Sequence, residues 1–273
     1  MTHHQTDERA IEPAAEQYNA TLVRRVDETD DLAYFWVRFD ADATPFEPGQ
    51  YMTIGVVTDG KLLQRPYSVA SSARQTADGY EFYVRLVPIY RFTTALWRLP
   101  VGHAMRMIGP KGRFMLEDDD DRTHLFISTG TGIAPFISMM KTLLEDGRPR
   151  RAVVLHGVSY ISDLGYRELL EDWQASGDYP CVYVPTISRP ADPSNAGWAG
   201  RTGRVEANVT SVCDELELGP DNTVVYICGN PEMIVATEVL FHDRGFQPEQ
   251  VKKELYWPKA REPRADQAVA RPG

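Results

Sequence analysis

Cysteine is scarce in this chain, long apolar runs are missing, and positive charge is in deficit. Each shortage excludes something. The three cysteines, Cys181, Cys213 and Cys228, are scattered and odd in number, which argues against a disulfide framework and for a reducing compartment, with the cytosol as the default. No apolar run approaches the length of a membrane span, and the first residues carry acids without an apolar core, so neither a membrane helix nor a signal peptide is expected. A formal net charge of -10 speaks against a nucleic-acid partner, because neutralising a phosphate backbone takes clustered Lys and Arg. No metal site is expected: His3-His4 reads as a solvated terminus, and no internal repeat is visible.

What is present divides the sequence into unlike halves. From Tyr18 to about Phe114, short segments rich in aromatic and β-branched residues, such as Ala33 to Phe39 and Tyr80 to Val87, are separated by turns. Thr58-Asp59-Gly60 and Ala77-Asp78-Gly79 are read as hairpin turns, and together these signals predict an antiparallel barrel. After the acidic run Glu117 to Asp121 the period changes. Strand-like His124 to Ser128, Ala152 to Val158, Cys181 to Thr186 and Thr223 to Cys228 alternate with helix-like Ile137 to Glu145, Asp163 to Ala175, Val205 to Leu216 and Glu232 to Arg244. That alternation predicts a parallel α/β sheet, with Gly245 as the C-cap of the last helix. The expected organisation is a mobile segment over 1-17, a β-barrel domain over 18-117, an α/β domain over 118-257, and an extension over 258-273 that should not pack into a core.

Three segments carry the chemistry: Arg65-Pro66-Tyr67-Ser68, Gly130-Thr131-Gly132-Ile133-Ala134-Pro135 and Cys228-Gly229-Asn230-Pro231. Arg65 offers a planar fork of donors suited to phosphate, Tyr67 a flat face, and Ser68 a small hydroxyl. Gly130-Thr131-Gly132 lies between a strand and a helix, which is where a glycine-rich turn cradles phosphate. Cys228 ends a strand at the carboxyl edge of the expected sheet, where ligands of doubly wound folds bind.

In this order and separation the three segments resemble the motifs of the ferredoxin-NADP reductase family, over about Tyr18 to Trp257. The resemblance implies FAD and NADP as cofactors. It implies Arg65, with Pro66 beside it, on the flavin pyrophosphate, Tyr67 against the isoalloxazine, and Ser68 at the flavin N5. Pro45 to Tyr51 resembles the family's P-x-x-G-Q-Y segment. The second flavin segment matches Tyr90 to Leu96, with Tyr90 in place of a glycine; Thr93 and Thr94 would cap the helix and meet phosphate. Gly130, Thr131, Gly132 and Gly229 would cradle NADP, Cys228 would lie beside nicotinamide C4, and Ser188, Arg189 and Arg204 would take the 2'-phosphate, although Ser159 stands where some relatives have an arginine. Glu254, Tyr256 and Trp257 resemble the family's chain end, with Tyr256 gating the flavin and Glu254 near the proton path.

The implied activity is hydride exchange with NADP(H) and single-electron exchange with ferredoxin or flavodoxin. The alternatives are a reductase serving an oxygenase or free flavin, or a non-catalytic nucleotide-binding subunit on the same fold. A built-in iron-sulfur relay is excluded, because no Cys-x4-Cys-x2-Cys segment exists. An acidic protein meeting an acidic ferredoxin needs a local basic surface, for which Arg91, Arg98, Lys111, Arg113, Lys252 and Lys253 are the candidates.

Overall fold

The computed structural model describes residues 17-117 and 121-255. Its first half is a six-stranded antiparallel sheet built from β1 (Ala20–Thr29), β2 (Leu32–Phe39), β3 (Tyr51–Thr58), β4 (Lys61–Ser68), β5 (Tyr80–Arg85) and β6 (Ala104–Lys111), in the order β4-β3-β6-β1-β2-β5. The alternation seen in the sequence is what closes it: Ala33, Phe35 and Val37 of β2 face inward with Ile54, Phe82 and Met107 from the neighbouring strands. The sheet curls until its two ends meet, and the amide of Ala70, just past β4, donates to the carbonyl of Glu81 on β5 at 2.8 Å. The Asp59-Gly60 turn joins β3 to β4 as a hairpin. The Ala77-Gly79 turn does not close one: β4 and β5 lie at opposite ends of the sheet order, so this turn only feeds the chain into β5.

The second half is a parallel sheet of β7 (Thr123–Thr129), β8 (Ala152–Val158), β9 (Cys181–Ile187), β10 (Arg201–Thr202), β11 (Thr223–Gly229) and β12 (Val251–Leu255), ordered β10-β9-β8-β7-β11-β12. Beside α1 (Arg91–Trp97) in the first half, four helices serve the second: α2 (Ala134–Glu145), α3 (Arg167–Ser176), α4 (Val205–Glu215) and α5 (Pro231–Asp243). Burial on both faces explains why β8 and β11 read as almost unbroken apolar runs. Asp163, expected at a helix start, instead sits in a single 3-10 turn, and α3 begins after Gly165. Gly245 follows α5 with φ +85°, the left-handed backbone a glycine C-cap supplies.

The two halves share one buried cluster. Leu32, Tyr34, Ala70, Tyr83 and Phe114 pack with Phe126, Ile133, Phe136, Tyr166 and Tyr226. Tyr34 and Tyr83 stack with centroids 4.8 Å apart, and Tyr166 meets both edge-on. The carboxylate at this seam is paired: Glu81 is 5% exposed, and it accepts from Tyr166 Oη at 2.6 Å and Lys141 Nζ at 2.8 Å. Arg74 is bidentate on Asp146, at 2.7 and 2.9 Å.

Candidate functional site

In the nucleotide-type half, the strand order reverses between β7 and β11, and at such a switch point the carboxyl ends of neighbouring strands splay into a crevice. Thr129 and Gly130 end one side, Cys228 and Gly229 the other. The amide of Asn230 donates to Thr129 Oγ1 at 2.8 Å, and the Asn230 side chain accepts from the amides of Glu232 and Met233 to cap α5. Gly130 has φ +51° with open space where a Cβ would project, so this glycine leaves the crevice mouth clear. At Gly132 the demand is contact: a Cβ there would lie 2.4 Å from the Cys228 carbonyl oxygen.

From this crevice a cleft of about 580 Å³ runs along the sheet edge. Its lining gathers Gly130, Thr131, Ser188, Arg189 and Arg204, which come from three separate strand ends, and Ser159 lies in the same wall. Arg189 packs over the Tyr160 ring, 5.2 Å from its centroid, and donates to its hydroxyl. The donor set of glycine-turn amides, hydroxyls and arginines, with room for an extended polyanion, fits a nicotinamide dinucleotide phosphate. Arg85 also lines the cleft and was not singled out from the sequence. It ends β5 in the other half and reaches across the seam to Asp163 at 2.7 Å while holding Asp31 at 2.7 Å. Only the tertiary fold brings an arginine from a barrel strand to a nucleotide cleft.

On the barrel side, β4 pairs with β3 so that Tyr51 lies opposite Ser68 and Ile54 opposite Arg65. Strand alternation separates the roles: Tyr67 packs against Phe92 of α1 with centroids 5.8 Å apart, while Ser68 turns inward at 2% exposure. A guanidinium, a flat ring and a hydroxyl within four consecutive residues fit a flavin dinucleotide. Thr93 does not reach outward. Its hydroxyl is bonded to the carbonyls of Val87 and Tyr90, and the Thr94 hydroxyl donates to the Tyr90 carbonyl. Tyr90 takes φ -100°, an ordinary extended value, as the N-cap of α1. No side chain caps that helix, so the capping role expected of Thr93 and Thr94 is absent; Tyr90 needs no left-handed turn, and both hydroxyls fold back on the segment before the helix.

The two sides meet through β12, a strand not recognised in the sequence. It places Glu254 in register with Cys228 and within 3.0 Å of Ser68, whose Oγ donates to Glu254 Oε2 across 186 residues of sequence. Burial pushes the Glu254 carboxyl up to about 7, against the lowering effect of the Ser68 bond. Cys228 is fully buried, and burial, aided by the charge of Glu254, holds its thiol well above the usual range. It is therefore a neutral packing group at the crevice floor, not a thiolate. Cys181 and Cys213 are core residues, each pushed up to about 11 by burial. Tyr256, Trp257 and the 258-273 extension lie outside the described residues, as does the 1-16 part of the N-terminal segment.

A stability test follows from Glu254. Its folded pKa is raised, so folding is unpenalised where the acid is protonated in both states and loses stability as pH climbs from 4.5 to about 7. Glu254→Gln removes that loss. The variant should match the wild type near pH 4.5 and exceed it by on the order of 2 to 3 kcal/mol at pH 8, as read from denaturant melts at both pH values. Equal stability of the two proteins at pH 8 would refute the burial cost.

Among the proposed docking cations, Arg91 is paired with Asp59, Lys252 with Glu117 and Lys253 with Glu238. No ion pair among the described residues holds Arg98, Lys111 or Arg113. No described helix is long and apolar enough to cross a membrane.

Comparison with known proteins gives the same two-part division. Residues 19-116 match the family described as "Oxidoreductase FAD-binding domain", and residues 126-238 match "Oxidoreductase NAD-binding domain". The chain is 32% identical to ferredoxin-NADP reductase B of Sorangium cellulosum over 80% of this chain and 88% of that protein. It is 29% identical to the reductase component of propane 2-monooxygenase from Rhodococcus jostii, over 76% of this chain and 54% of the relative. In fold it resembles a ferredoxin NADP+ reductase from Neisseria gonorrhoeae solved with bound FAD and NADP, with a TM-score of 0.76 at 23% identity over 87% of this chain and 98% of that one.

Proposed function

Given that the chain belongs to the ferredoxin-NADP reductase family of FAD- and NADP-binding oxidoreductases, we propose that it exchanges a hydride with NADP(H) and passes single electrons to or from a ferredoxin or flavodoxin. The observation that carries this reading is the Ser68-Glu254-Cys228 junction, which brings the flavin strand, the last strand and the nucleotide crevice to one point. When bound, the flavin and nicotinamide supply the hydride and electron chemistry themselves. The protein's share is binding, orientation and protons. Arg65 and Tyr67 hold the flavin's phosphate and ring, and Arg189, Arg204 and Ser188 take the 2'-phosphate. Arg85 lines the cleft at the seam with its guanidinium committed to Asp31 and Asp163. Ser68, whose Oγ donates to Glu254 Oε2, would face the flavin N5, and the Glu254 carboxyl, titrating near 7, could accept the serine proton only as the hydroxyl takes one from the flavin side, or return it in the reverse direction. Cys228 is fully buried beneath the turn, its carbonyl packed against Gly132.

Arg189 gives a direct check on the nucleotide. Arg189→Ala should weaken NADPH binding by about 1.5 to 3 kcal/mol, the usual worth of a charge-assisted phosphate contact, and leave NADH binding nearly unchanged. Steady-state kinetics with both nucleotides reads this out. A wild-type enzyme equally efficient with NADH would contradict the assignment of Ser188, Arg189 and Arg204.

The electron acceptor is tested by titrating the NADPH-reduced enzyme with a panel of ferredoxins and flavodoxins beside free flavin and oxygenase components. Fast oxidation by a ferredoxin or flavodoxin, lost on reversing the charge of Lys111 and Arg113, is the expected result. The second reading, a reductase for an oxygenase, is favoured by the likeness to the propane 2-monooxygenase component. Oxidation only by the oxygenase partner would establish it.

A further inference from the structure

One buried titratable group has no part in the chemistry above. His156 lies in the middle of β8 at 0% exposure, with Ala152 to Leu155 before it and Gly157-Val158 after. A neutral imidazole has one donor and one acceptor nitrogen. Nε2 lies 3.0 Å from the Gly130 carbonyl oxygen, and a carbonyl only accepts, so Nε2 carries the hydrogen. Nδ1 is then an acceptor, and the Tyr183 hydroxyl donates to it across 3.3 Å. Both nitrogens are committed. Burial drives the imidazole down to about 4, so the ring keeps this single tautomer at neutral pH.

The bond matters because of the peptide it grips. In a trans peptide the C=O and the following N–H point in opposite directions. With the Gly130 carbonyl turned to the buried ring, the Thr131 amide is turned the other way, and Gly130 and Thr131 both line the cleft. Gly130 itself has no side chain, and nothing lies within 4 Å of where one would be, so packing against this residue cannot set the tilt of its peptide. Gly130, at φ +51°, opens a single 3-10 turn over Gly130–Ile133, and the imidazole adds a side-chain anchor to the one end of that turn where the backbone is most permissive.

We propose that His156 is a positioning residue for the nucleotide's pyrophosphate: through the Gly130 carbonyl it holds the first peptide of the glycine turn with its amide facing the cleft. Tyr183 supports it by fixing the tautomer. The inference rests on the nucleotide reading above, and the two can fail separately.

The test is equilibrium titration of the oxidised, FAD-loaded protein with two ligands. NADP+ carries the pyrophosphate; adenosine 2'-monophosphate keeps the 2'-phosphate and has none on the 5' side. His156→Leu should weaken NADP+ at least tenfold and change adenosine 2'-monophosphate less than twofold, with flavin content unaltered. His156→Gln, whose amide can still donate to the Gly130 carbonyl, should recover most of the loss. Tyr183→Phe should weaken NADP+ about threefold and leave the smaller ligand unaffected. Wild-type NADP+ affinity in His156→Leu, or an equal loss for both ligands, overturns the proposal. Should His156→Leu fail to fold, Tyr183→Phe decides alone, and unchanged NADP+ affinity there overturns it. Failure of the wild type to bind NADP+ would instead remove the nucleotide reading on which the proposal stands.

Discussion

Gly132→Ala is expected to lower NADP+ affinity at least 100-fold while FAD stays bound. The new methyl carbon would sit 2.4 Å from the Cys228 carbonyl oxygen and 2.8 Å from the Cys228 carbonyl carbon and Gly229 Cα. All three are main-chain atoms of β11, so no rotamer change can relieve the clash, and the turn must lift away from the strand. A misplacement of roughly 1 Å in a positioning element can cost about 100-fold, and overpacking adds about 1 to 3 kcal/mol of lost stability. Gly130→Ala is the control. Its methyl would enter open space, leaving only the strain of φ +51°, about 1 to 2 kcal/mol. Difference spectra on NADP+ titration, read beside thermal melts, separate the two variants, and Gly132→Ala binding within threefold of wild type would refute the close packing of turn on strand.

Ser68→Ala should slow reduction of the flavin by NADPH about 100-fold without releasing FAD or changing NADP+ affinity. A single preorganised hydrogen-bonding group at a reacting centre is commonly worth about 10² to 10³ in rate. The same change removes the hydrogen bond that lowers the Glu254 pKa, so the carboxyl should titrate above its present value of about 7 and the pH profile of reduction should move upward. Rapid-mixing experiments between pH 6 and 9 report both effects. A slower rate with an unshifted profile would mean that Glu254 does not report on this step.

The alternation of strands and helices after residue 121 was legible because each element is local and strongly periodic, and the α/β half follows it closely. The barrel was legible in class. Its pairing was less so: the Ala77-Gly79 turn has hairpin composition, yet it joins strands from opposite ends of the sheet, and composition does not encode neighbours. β12 escaped notice because Lys252, Lys253 and Glu254 make an edge strand look like a solvated run. The motif residues could be read from sequence, and their convergence could not, since Ser68 meets Glu254 and Thr129 meets Asn230 across 186 and 101 residues. Arg85 and His156 were illegible for another reason. One closes a barrel strand and the other interrupts an apolar strand, and nothing nearby in the chain states what each faces.

The cluster shared by Tyr34, Tyr83, Phe114, Phe136, Tyr166 and Tyr226 joins the two halves of the described residues into one buried core. Separating the halves would expose stacked rings and strand Glu81 without Lys141 and Tyr166, a cost neither half can recover from its own packing. Hinge opening between the two halves would have to break these contacts, a cost that any access by that route must meet. With a shared core, the barrel and the parallel sheet are expected to melt together, so that an occupant of either one should raise the melting temperature of both.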